Sequence, residues 1–160
     1  MIDFQAAIEE IHHANLEDGS ASRLVYATRS PDRRISTLAP GTFRTLSPQL
    51  ILIYEYIECW ECAFLEKDIL SLRQIAKAWE TDWIAQNIDL KMRNFPTPPG
   101  GEADLSKISI FGCAREESDE ITLLWGDDEE PRVICYFGAS LDSFDDVSSL
   151  FDYHLDMSRL

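Results

Sequence analysis

The residues with the clearest chemical potential are Cys59 and Cys62 in the run ECWEC, whose two-residue spacing is shared by redox dithiols and by half of a zinc site. A zinc site needs two more ligands at matching spacing. The remaining cysteines, Cys113 and Cys135, stand 22 positions apart and lack it. A redox pair needs a stabilised thiolate, whereas Glu58 and Glu61 flank this one and raise a thiol pKa. The four cysteines therefore read as reduced core thiols, with a thiol enzyme using Cys59 and Cys62 as the alternative of a different class. His12 and His13 are adjacent, so on a helix they diverge by about 100° and cannot chelate one ion; they read as a surface pair. No Gly-rich phosphate loop, nucleophile elbow or HExxH run occurs. The sequence thus predicts no catalytic residue, no metal ligand set and no cofactor, and the chain is expected not to be an enzyme.

The elements that position these residues follow from periodicity. Residues 3–17 read as an amphipathic helix with Asp3 as N-cap, Phe4, Ile8 and Ile11 on one face and Gly19 as a stop. A short strand is expected at Leu24 to Ala27, inside a locally basic stretch carrying Arg23, Arg29, Arg33, Arg34 and Arg44. Ser47 and Pro48 suit an N-cap and first helical position, and although Ile51, Ile53, Tyr54 and Ile57 would suit a strand as well, the expectation is a helix to about Glu61 and then a short extended piece. A further helix begins at Ser71, where Leu72, Ile75, Trp79 and Trp83 recur at helical spacing and would set both indoles against the core. Asn94 to Gly101 (NFPTPPGG) breaks any regular element. Three β-like runs follow, KISIF, EITLLW and RVICYF, the last two joined by a turn too short for a parallel crossover. They predict an antiparallel meander, closed by an amphipathic helix near Ser143 to Asp156. The expected fold is a single α+β domain over residues 1–160, its mostly antiparallel sheet packed by amphipathic helices.

Charge narrows the partners. The chain has 160 residues and a formal net charge of −15, with 29 acidic and 14 basic side chains, which disfavours nucleic acid and anionic membrane surfaces. Residues 1–100 hold 14 acidic and 10 basic side chains; residues 101–160 hold 15 and 4, so the acidity belongs to the meander and last helix. The candidate contact residues are Asp119, Glu120, Asp127, Asp128, Glu129, Glu130, Asp142, Asp145 and Asp146, with Trp125 as an aromatic anchor if it faces outward. Clustered carboxylates repel one another and attract a cationic partner by steered, salt-sensitive association. Acidic turns that merely confer solubility are the competing explanation. No apolar run approaches the length of a spanning helix, and the start lacks the pattern of a secretory signal, so the expected location is the cytoplasm.

Over residues 70–157 the order of segments resembles the SUKH superfamily, which includes regulators of glucan synthesis and bacterial immunity proteins. The resemblance rests on LSLRQIAKAW, FPTPPGG, ISIFG, DEITLLW, PRVICYF and DSFDDVSSLFDYHL, taken in that order. It implies an α+β domain that binds other proteins without catalysis, most concretely an immunity protein that covers a toxin domain. A nuclease toxin, whose cleft must be basic to hold phosphates, would match the charge. A regulatory or scaffold module is the alternative.

Overall fold

The computed structural model describes residues 1–92, 103–117, 119–137 and 140–160. The proline-rich segment Asn94 to Gly101 lies outside them. The first helix, α1 (Phe4–Glu17), begins where Asp3 accepts a hydrogen bond from the Ala6 amide, and it buries Phe4, Ala7, Ile8 and Ile11. Then come β1 (Arg23–Tyr26), a two-stranded ribbon of β2 (Arg34–Ser36) and β3 (Phe43–Thr45), and α2 (Pro48–Tyr56) capped by Ser47. Strand β4 (Ile57–Phe64) follows directly. It is succeeded by β5 (Lys67–Ile69), a short α3 (Leu72–Ala76) and α4 (Asp82–Met92). The C-terminal part supplies β6 (Ile108–Ala114), β7 (Glu120–Leu124), β8 (Arg132–Phe137), β9 (Ser140–Phe144) and α5 (Val147–Ser158).

Among the described residues the main sheet has seven strands in the order β1-β4-β5-β6-β7-β8-β9, with antiparallel neighbours throughout, and the fold is α+β. Side chains alternate across it, so neighbouring residues face different helices. Phe64, paired with Lys67, stacks on His154 of α5, while Cys113, paired with Asp68, receives a hydrogen bond from Asn87 of α4. Helix α5 thus covers one face and α4 the other. The first face holds an aromatic chain in which Phe151 meets both Phe4 and Phe64 edge-on at 5.2 Å. On β6, Gly112 is required by close approach: a Cβ there would lie 2.8 Å from the Asp68 carbonyl oxygen and 2.9 Å from Ile121 Cδ1. The glycine of ISIFG lets β5 and β7 crowd a bulge.

Several expectations need correction. The helix expected to reach Glu61 ends at Tyr56, because Ile57 to Glu61 pair with β1 and cross-strand bonding outweighs helical continuation. The helix from Ser71 is interrupted after Ala76 by a 3₁₀ turn at Ala78–Glu80, and the Trp79 indole lies 40% exposed while donating to the Leu38 carbonyl. Trp83 is half-buried beneath the Arg115 guanidinium, 4.9 Å from its ring centre. Ser143 and Phe144, expected in the closing helix, form the end of a fourth meander strand. Of the expected surface pair His13 is exposed, whereas His12 is half-buried and hydrogen-bonded to Ser22, which also accepts from the Trp60 indole.

Candidate functional site

Antiparallel order brings the end of β7, the start of β8 and the end of β9 to one end of the sheet, since Leu124 pairs with Arg132 and Val133 with Phe144. The turn 126–131 and the junction 145–146 therefore sit side by side. In them Asp127, Asp128, Glu129 and Asp145 are exposed and form no ion pair among the described residues. Asp142, exposed midway along β9 opposite Cys135, extends the same negative surface down the sheet edge. These five carboxylates are solvated and outside any ion pair among the described residues; Arg132, exposed at the start of β8, is a cation on the same rim and reaches the Ser143 hydroxyl at 3.5 Å.

Two neighbours anchor this rim. Glu130 Oε1 accepts from the Gln49 amide at 3.0 Å, and its Oε2 is buried without a hydrogen-bond partner. Asp146 caps α5 by accepting from the Ser149 amide at 2.8 Å, and its other oxygen accepts from Gln49 Nε2 at 2.9 Å. Burial pushes the Asp146 pKa up, but hydrogen bonds from Gln49 and Ser149 outweigh it and hold the carboxyl below its ordinary value. Gln49 Oε1 completes the knot by accepting from the Ser148 amide. Gln49 carried no signal in the sequence beyond following a helix start, because its importance lies in contacts about a hundred residues away.

Three candidate contacts are interior residues, which corrects their assignment. Asp119 is 7% exposed, and its carboxylate lies 3.5 Å from Lys67 Nζ, itself buried. Glu120 is 1% exposed on the α4 face; burial raises its pKa to about 8, against smaller opposing effects of the Thr122 hydroxyl and Lys91. Trp125 is 6% exposed and donates its indole N–H to Ser109 Oγ at 3.0 Å, so it fills the core. The shared reason is that the central strands are covered on both faces, so even polar residues at the start of β7 are enclosed. Lys67 and Lys91, their buried cationic neighbours, were missed because an isolated lysine reads as surface.

The thiols are less enclosed than expected: Cys59 and Cys62 are half-buried on β4, while Cys113 and Cys135 are buried. All four are free among the described residues. Burial first, then Glu58 and Glu61, pushes the Cys59 pKa up; burial and Asp68 do the same at Cys62. Neither is a favoured thiolate. Among the described residues no group of three or more His, Cys, Asp or Glu side chains could hold a metal ion, and no helix is long and apolar enough to cross a membrane. Comparison with protein-family models, with curated proteins and with solved structures gives no match.

Proposed function

We propose that the chain is a cytoplasmic, non-catalytic protein-binding domain that acts as an immunity protein, covering the basic active-site cleft of a bacterial toxin, in the manner of the SUKH proteins it resembles. The supporting observation is the set of exposed, unpaired carboxylates Asp127, Asp128, Glu129, Asp142 and Asp145 beside the anchored pair Glu130 and Asp146. An anchored scaffold holds a charged turn in one orientation, which lowers the ordering cost of docking. The expected partner is cationic, and a nuclease domain fits best because phosphate binding makes its cleft basic. The half-buried thiols, pushed toward their protonated forms, give thiol chemistry no comparable support.

The test is capture of the partner from the native host with the wild-type chain, followed by titration against the triple variant Asp127→Lys, Asp128→Lys, Glu129→Lys. Affinity should fall by about a hundredfold or more, and the salt dependence of association should flatten. An unchanged affinity and salt slope would sink the reading.

A further inference from the structure

A second site lies at the same end of the sheet but on its β1 side, and its charge is opposite to that of the molecule. Beyond Tyr26, paired with Ile57 of β4, the chain leaves the sheet through residues 27–33 before forming the β2–β3 ribbon. Between that segment, the ribbon and the start of α3 is a cleft of about 770 Å³. Tyr54, Ile57 and Leu72 supply apolar lining, and Arg29, Arg34 and Arg73 supply cationic lining. Phe43, 50% exposed, lies under the Arg34 guanidinium at 4.8 Å, making a flat cationic and aromatic surface.

Among the described residues every arginine outside the cleft has a partner, which for Arg44 is the Ser106 carbonyl, for Arg132 the Ser143 hydroxyl and for the rest a carboxylate; within the cleft only Arg34 has one. Arg23 pairs with Glu61, Arg33 with Glu55, Arg115 with Asp68 and Arg159 with Glu10, as expected where carboxylates outnumber basic groups two to one. Arg29 and Arg73 make no ion pair among the described residues, although both are exposed. Asp32 is occupied by Arg34, accepting from its amide at 3.1 Å and lying 3.7 Å from its Nε. Glu58 at the cleft is exposed and unpaired. The cleft thus has three arginines against two carboxylates, with two of the guanidinium groups in no ion pair beside an apolar hollow.

We propose that this cleft binds a phosphate monoester carried on a flat apolar body, with Arg29 and Arg73 on the phosphate oxygens and Phe43 and Leu72 against the body. Two forked guanidinium donors match three phosphate oxygens and two charges better than they match one carboxylate. The apolar lining has no use for inorganic phosphate. The site is separate from the acidic rim, so either reading stands or falls without the other.

Phenyl phosphate titrated calorimetrically into the full chain at low salt is the direct probe. Saturable one-to-one binding is expected, with a Kd below about 1 mM and at least about tenfold tighter than inorganic phosphate or benzoate. The double variant Arg29→Ala, Arg73→Ala should weaken it about tenfold or more, with an unchanged unfolding midpoint. Glu58→Gln should tighten it severalfold by removing a repelling charge, a gain that loss of folding cannot imitate. Absence of saturation to about 10 mM overturns the proposal. So does equal binding of inorganic phosphate or benzoate, an indifferent double variant, or a Glu58→Gln variant that binds no better.

Discussion

Glu120 is where burial and charge conflict most directly. Its carboxyl lies between β7 and α4 with Oε1 on the Thr122 hydroxyl, Oε2 unpartnered and the Tyr136 hydroxyl likewise buried and unpartnered; Cys113 is its cross-strand pair. Enclosure raises its pKa from 4.5 to about 8, so the folded state holds a proton that the unfolded state has already released. Its stabilising protonated form is fully present below pH 4.5 and is lost as pH rises toward 8. His154 runs the other way: burial first, then Lys67, lowers its pKa from 6.5 to about 4. The neutral ring favours folding above pH 6.5, and that advantage fades as pH falls toward 4. The two slopes oppose each other in acid, leaving Glu120 to dominate between about pH 6.5 and 8, where stability should fall by roughly 1 kcal/mol per pH unit. Urea unfolding across that window should show the decline in wild type and a flat profile in Glu120→Gln; an equally steep variant would contradict the account. At Gly112 the conflict is steric. Because a Cβ would press on the Asp68 backbone, which cannot swing aside as a side-chain tip would, Gly112→Ala should destabilise by about 1–3 kcal/mol in the same assay.

At the scale of elements, Gln49 ties the start of α2 to the start of α5 and to the β7–β8 turn, so acids that look alike in sequence have different roles. Asp146→Ala removes a helix cap and a tether together and should cost about 1–3 kcal/mol, whereas Asp127→Ala should change stability by less than about 0.5 kcal/mol. Equal losses at the two positions would show that the rim is not divided into anchors and free charges. This division marks the limit of what the sequence discloses. Helix α1 and strands β6, β7 and β8 were legible because each carries its own period and its own stops, and the acidic turn was legible as composition. Strand β9 was not, since SLDSF has no alternating apolar side to bury and acquires its structure from β8 alone. Nor was β4, where an apolar run satisfies helix and strand equally until β1 and β5 are present to pair with it. The burial of Asp119, Glu120 and Trp125 depends on α4 and α5 covering opposite faces, a relation that no local window contains.

Over the whole molecule, a net charge of −15 makes the folded state repel itself, and the exposed carboxylates at one end of the sheet contribute to that repulsion. Raising sodium chloride from about 0.02 to 0.5 M shortens the screening distance severalfold and should raise the Tm. The triple lysine variant of the β7–β8 turn should gain less from salt than wild type. A Tm that drops with salt would mean that the surface ion pairs, such as Arg23 with Glu61, outweigh the general repulsion. The contact of Phe4 with Phe151 joins the first helix to the last. During synthesis, at about 5–20 residues per second, α1 emerges from the ribosome long before its cover does. A chain halted ahead of Val147 lacks that cover, so Phe4 and Phe64 are both left without the Phe151 ring that meets each of them edge-on, and the sheet face they share stays open to non-native apolar contacts until α5 docks.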